Sequence, residues 1–112
     1  MTHHCVAASQ EKKAIDIQIL DLSGISVFAD YFFICSGSST RQVKAIAEAV
    51  EESLSKKRVE PDHIEGAAEG KWILMDYGDT VVHVFLDETR EYYRLERLWG
   101  DAPRLRPEDL VK

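Results

Sequence analysis

The sequence predicts an α/β fold of the α+β kind: a mixed sheet of about five strands, with one long helix and two shorter ones packed on it. Three observations carry that prediction. Residues 14–22, AIDIQILDL, alternate Ile15, Ile17 and Ile19 against Asp16 and Gln18, the period-2 pattern of a strand with one buried face. Residues 37–58 place Val43, Ile46, Ala47, Val50 and Leu54 on one stripe at helical spacing. Residues 71–85, KWILMDYGDTVVHVF, read as a β-hairpin closed by Gly78 and Asp79.

The elements follow in order. Residues 1–12, MTHHCVAASQEK, hold at most a short helix in an expected loosely ordered tail. The strand 14–22 ends at the turn signal SGIS, residues 23–26. DYFFICS, residues 30–36, is almost continuously apolar and suits a central strand covered on both faces. The long helix follows, with Ser39 and Gln42 as a capping box and Thr40 as a rival cap. Glu52 and Lys56 form an i,i+4 pair in its last turns. Pro61 bars its continuation, a short strand covers His63 to Glu65, and Gly66 and Gly70 bracket a turn before the hairpin. A final helix, capped by Asp87 or Thr89, carries Tyr92, Leu95, Leu98 and Trp99 and stops at Gly100. Residues 103–112 are a second loose tail. The predicted order is αββαβββα, in a single domain spanning 1–112.

Composition narrows the function. A chain of 112 residues that is 45% hydrophobic and 30% charged suits one domain with a real core. No apolar run approaches the roughly 20 residues a membrane helix needs. The start of the chain lacks a basic region followed by an apolar stretch, so a cytoplasmic protein is expected, with no membrane partner. Twenty acidic residues against 14 basic ones argue against broad binding to a nucleic-acid backbone. That balance suits a basic protein partner, or serves only solubility. Cys5 and Cys35 are far apart and no CxxC pair exists, so neither a zinc site nor a redox dithiol is expected. His3, His4 and Cys5 have metal-ligand chemistry, but a frayed terminus is a poor place to hold an ion, and no metal is expected.

The hairpin carries the chemistry that needs explaining. A two-residue turn of type II′ pairs Tyr77 with Thr80, Asp76 with Val81, Met75 with Val82, Leu74 with His83, Ile73 with Val84, and Trp72 with Phe85. Opposed residues share a face. One face is then Ile73, Met75, Tyr77, Val82 and Val84, which should pack on the long helix. The other is Trp72, Leu74, Asp76, Val81, His83 and Phe85. Three readings of that second face are open. It is covered by the final helix and Trp72 is core; or it is an exposed docking patch; or Asp76 and His83 form a catalytic pair. The last would need a nucleophile within reach, and Ser36, Ser38 and Ser39 lie in no GxSxG elbow. The stretch CSGSSTRQ, residues 35–42, joins a buried strand to a helix N-terminus, a natural anion site. It would use Gly37, Ser38, Ser39 and Arg41, or be only a capped turn, since it has neither a P-loop nor a GxGxxG pattern.

Three stretches taken together, ADYFFICSGSSTRQVKAIAEAV, EGKWILMDYGDTVVHVF and REYYRLERLWGDA, resemble the Iojap family, the ribosomal silencing factors. The resemblance spans about Lys12 to Ala102, and the segment before it is shorter than the family usually has. It implies a nucleotidyltransferase-like fold without transferase activity. Transfer of that type needs a Gly-Ser junction plus close carboxylates to hold divalent metal ions. Gly37 and Ser38 are present, but no DxD follows on a strand, Asp76 and Asp79 have the wrong spacing, and Asp21 and Asp30 precede the junction. The fold is read as kept and the catalysis as lost, with no catalytic residue and no cofactor.

The resemblance further implies binding to the large ribosomal subunit through its ribosomal protein fourteen, which blocks joining of the small subunit and represses translation. Little direct contact with nucleic acid is expected. The residues read as the docking surface are Trp72, Asp76, Tyr77 and Asp79, extended by Glu65, His83, Asp87 and Arg90. Two alternatives stay open: a nucleotide-binding or nucleotidyltransferase-like enzyme using the Gly-Ser junction, and a homodimer of the free chain whose interface consumes the Trp72 face.

Overall fold

The computed structural model describes residues 2–98, 100 and 102–105. In chain order the elements are α1 (Thr2–Glu11), β1 (Ile15–Asp21), β2 (Tyr31–Gly37), α2 (Thr40–Ser55), β3 (His63–Glu65), β4 (Trp72–Asp76), β5 (Thr80–Leu86), α3 (Asp87–Tyr93), α4 (Leu95–Leu98) and β6 (Arg104–Leu105). Among the described residues, six strands form one mixed sheet in the order β3-β4-β5-β2-β1-β6. Within it only β2 and β5 run parallel, from Tyr31 opposite Thr80 to Gly37 opposite Leu86. A parallel pair needs a crossover, and α2 supplies it. Among the described residues no helix is long and apolar enough to cross a membrane.

The pleat sends alternate residues of each strand to opposite faces. On one face Ile19, Phe33, Cys35, Ile73, Met75, Val82 and Val84 pack with Val43, Ile46, Val50 and Leu54 of α2. On the other, Leu20, Leu22, Ile34 and Phe85 pack with Ala102, and Phe32, Trp72 and Leu95 close over them. Residues of β2 go to both clusters, in agreement with its unbroken apolar run. The hairpin register is the expected one at every pair from Trp72 opposite Phe85 to Asp76 opposite Val81. Tyr77 then donates its amide to the Thr80 carbonyl at 2.9 Å. Gly78 has φ +86°, a left-handed geometry that favours glycine at the first position of this turn.

The ends of the chain differ from the sequence reading. Thr2–Glu11 is a helix seated on α2, not a loose tail, and Cys5, Val6, Ala8 and Ser9 are buried. Its buried face is small residues, which bring two helices close but give a weak apolar signature. The tail predicted from residue 103 supplies a sixth strand, with Leu105 opposite Ile19 and Arg104 opposite Leu20. The final helix is two pieces. Arg94 breaks it with φ +46° and ψ +53°, while its amide donates to the Arg90 carbonyl at 2.7 Å and its guanidinium pairs with Glu91. Neither Asp87 nor Thr89 is the cap; Leu86 holds that position with no side-chain bond. Trp99 lies outside the described residues.

β1 also departs from its predicted alternation. Its pairing with β2 shifts between Ile15 and Gln18, and Asp16 takes φ +47°. The irregularity turns Ile15 outward while Ile19 stays buried. Arg90 holds this kink in place. Its guanidinium donates to the Asp16 carbonyl at 2.7 Å and to the Ser36 hydroxyl at 3.0 Å, and lies 3.3 Å from the Asp16 carboxylate. Arg90 itself is buried. Arg90→Ala should therefore cost about 2–3 kcal/mol, because it leaves desolvated acceptors unmatched. Asp16→Asn, at an exposed carboxylate, should cost less than about 1 kcal/mol. Urea midpoints of the two variants check this, and equal losses would remove Arg90 from the role.

Candidate docking surface

Trp72 opens β4 and is partly buried on the sheet face opposite α2. Its ring stacks on Phe85 at 4.8 Å and meets Tyr93 at 5.0 Å. Its indole N–H donates to Nδ1 of His83 at 3.1 Å. His83 is only 3% exposed, with its ring edge-on to Phe32 at 4.7 Å. Desolvation pushes the imidazole down to about 4, so it is neutral near pH 7. Because Nδ1 accepts, the single ring proton sits on Nε2. Backbone pairing across the hairpin and one side-chain hydrogen bond thus fix the position of the indole.

Asp76 and His83 each bond to other residues. The Asp76 carboxylate accepts the Gly78 amide at 2.8 Å and lies 3.8 Å from Nδ1 of His63. His83 is turned to Trp72 instead. Ser36 is bound to Arg90. At the Gly-Ser junction, Ser39 is the N-cap of α2 and accepts the Gln42 amide at 3.1 Å. The return arm of the expected box is displaced by one residue: Oε1 of Gln42 accepts the amide and hydroxyl of Ser38, at 2.7 and 3.0 Å. Two donors that an anion would use are therefore engaged within the chain. Arg41 and Ser38 are exposed. Gly37 is buried, and a Cβ there would lie only 3.2 Å from Val43.

The expected docking residues do not form one patch. Tyr77 is buried on the α2 face, where burial pushes its phenol up. His83 and Arg90 are buried as well, so these three offer no side chain to a partner. Trp72 and Asp76 stand at opposite ends of β4, roughly 13 Å apart at 3.3 Å per residue. At the Asp76 end, the Asp79 carbonyl accepts the amides of Asp30 and Tyr31, at 2.7 and 3.0 Å. That ties the hairpin tip to the loop between β1 and β2, which exposes Val27 and Phe28 almost completely. Glu65 is exposed on the edge strand, 3.4 Å from His63. Asp87 is exposed at the start of α3.

Around Trp72 the structure assembles residues that the sequence reading leaves out. Tyr92, Tyr93, Glu69, Lys71 and Glu88 line, with Trp72, an open cleft of about 410 Å³. Tyr92 and Tyr93 meet edge to face at 5.0 Å. Helical spacing puts Tyr92 on a buried stripe, but it is 81% exposed, because the break at Arg94 ends α3 before that stripe can continue. The segment before β4 passes beneath this cleft with little clearance. Gly66 has φ +81°, and a Cβ there would lie 2.0 Å from the Trp72 carbonyl oxygen.

Two outcomes follow. Gly66→Ala should cost about 2 kcal/mol or more, since it adds both left-handed strain and a backbone clash; a change in Trp72 emission and a lowered urea midpoint report it. The depressed His83 value makes folding favour the neutral ring. Its contribution is complete above the ordinary value of 6.5 and is lost as pH falls from there towards about 4. The loss is on the order of 3 kcal/mol. His83→Gln should flatten that part of the stability profile relative to the parent chain, and an unchanged difference between pH 6.5 and 4 would contradict the assignment.

Comparison with known proteins identifies the family and agrees with the fold. The family model described as ribosomal silencing factor during starvation matches residues 1–112. The chain is 50% identical over 97 residues to the ribosomal silencing factor RsfS of Bacillus subtilis, covering 87% of this chain and 82% of that one. It is 34% identical to the mouse protein called mitochondrial assembly of ribosomal large subunit protein 1, covering 84% of this chain and 42% of that one. A crystal structure of a protein from Chromobacterium violaceum superposes with a TM-score of 0.86 at 38% identity, covering 88% of this chain and 82% of that one. The chain belongs to the RsfS family of ribosomal silencing factors.

Proposed function

We propose that this chain represses translation as a non-catalytic binding module. It attaches to the large ribosomal subunit through ribosomal protein fourteen, on the side that faces the small subunit, and its bulk blocks joining. The observation that carries this reading is Trp72: a half-buried indole, held from below by His83 and Phe85 and flanked by the exposed Tyr92 and Tyr93. Rigid aromatic anchors of this kind concentrate binding energy at protein interfaces. A formal charge of −6 favours encounter with a basic protein and disfavours the phosphate backbone. The name of the mouse relative refers to the large subunit, which supports the choice of subunit. Asp79, Asp76, Glu65 and Asp87 serve as outlying charges that orient the complex.

The bonding of Ser38 to Gln42 favours this over nucleotide handling at the Gly-Ser junction. Exclusion of one particle by another needs no reaction, only occupancy. Trp72→Ala should weaken co-sedimentation with purified large subunits by about 2 kcal/mol, roughly 30-fold, while the fold survives. Pelleting with the small subunit alone, or undiminished repression by the Trp72→Ala chain, would refute the reading.

A further inference from the structure

We propose that the cleft beside Trp72 is a receptor for one arginine side chain of a basic polypeptide. The proposal rests on the docking reading above and names what that surface recognises. Three aromatic rings meet there at different inclinations. Trp72 and Tyr93 are 5.0 Å apart at 48°, and Tyr93 and Tyr92 are 5.0 Å apart at 79°. The three rings line one cleft and lie in different planes, so a cation seated there has aromatic π-density on more than one side, which attracts it. Tyr92 and Tyr93 are 81% and 52% exposed, so those faces are available without any rearrangement of the core.

The rim decides the sign of the ligand. Among the described residues that line the cleft, Glu69 and Glu88 stand against the single cation Lys71. Two carboxylates beside electron-rich rings repel phosphate and attract a positive group. Guanidinium fits better than ammonium. Its planar group stacks on a ring while its edge N–H groups reach a carboxylate, and it is more weakly hydrated. Trp72 is already oriented by its bond to His83, so little ordering remains for binding to complete. The volume of about 410 Å³ exceeds one side chain, which leaves room for the backbone that carries it.

The test uses the full chain labelled with nitrogen-15, titrated with N-acetyl-arginine methylamide and, separately, with its neutral isostere N-acetyl-citrulline methylamide. The arginine compound should shift the Trp72 indole N–H and the amides of Thr89, Tyr92 and Tyr93, and the shifts should saturate. The citrulline compound should bind about tenfold more weakly, or not at all. Glu69→Gln combined with Glu88→Gln, both at exposed sites, should lower the arginine response by a similar factor. Lys71→Met should raise it. Equal responses to the two compounds, saturable shifts confined to other surfaces, or no saturable shift overturns the proposal. Pelleting of the parent chain with large subunits is scored independently. Arginine binding without pelleting removes the ribosomal reading and keeps the receptor. Pelleting without arginine binding does the reverse.

Discussion

The register of the β4–β5 hairpin is the constraint on which the rest of the molecule turns. A slip of one residue would exchange the two faces of one strand relative to the other. With β5 held by β2, Trp72 and Leu74 would then point at α2, and Ile73 and Met75 would turn away from it. The two-residue turn prevents that. Gly78 takes the left-handed conformation, and the Asp76 carboxylate accepts its amide. The Asp79 carbonyl then holds the start of β2. A turn residue, a carboxylate and a neighbouring strand therefore set together which side chains the sheet buries and which it shows.

The same register places a neutral imidazole under an indole. Burial of His83 would be costly for a charged ring, and the energy is lowest when the ring stays unprotonated and accepts from Trp72. The result is an aromatic side chain that is anchored at its polar atom and along one face, yet partly open to solvent. Flexible surface aromatics lose rotamer freedom when they bind. Trp72 has lost much of it in the folded chain, so any contact made on its open side would meet less entropic opposition. His83 acts as a positioning residue behind the Trp72 ring.

Much of this is legible in the sequence, and the exceptions have physical causes. The hairpin register follows from Gly78 and the alternation on either side of it, and α2 follows from its stripe of Val43, Ile46, Val50 and Leu54. In these two elements the large apolar residues set the pattern, and sequence and structure agree. The seating of α1 escapes the pattern because Cys5, Ala8 and Ser9 bury little area each, and β6 escapes it because a two-residue strand has no period. The break at Arg94 carries no Gly or Pro signal, so spacing alone yields one helix where two occur and puts Tyr92 in the core. Arginines are usually at the surface, and Arg90 is not; its burial depends on the β1 kink, an irregularity that local pattern does not announce.

The candidate site is the harder part, because it depends on which ends of which strands meet. Trp72 and Asp76 are close in sequence, which suggests one patch, but an extended strand carries them apart. Glu69 and Glu88 are nineteen positions apart and flank the same cleft, because β4 and β5 return the chain to the end it left. The consequence is geometric. The sheet has a rigid aromatic cleft at one end, and at the other a hairpin tip joined to a loop bearing Val27 and Phe28. A partner that touches only one end could pivot about it. A partner that spans both would be held in a single orientation.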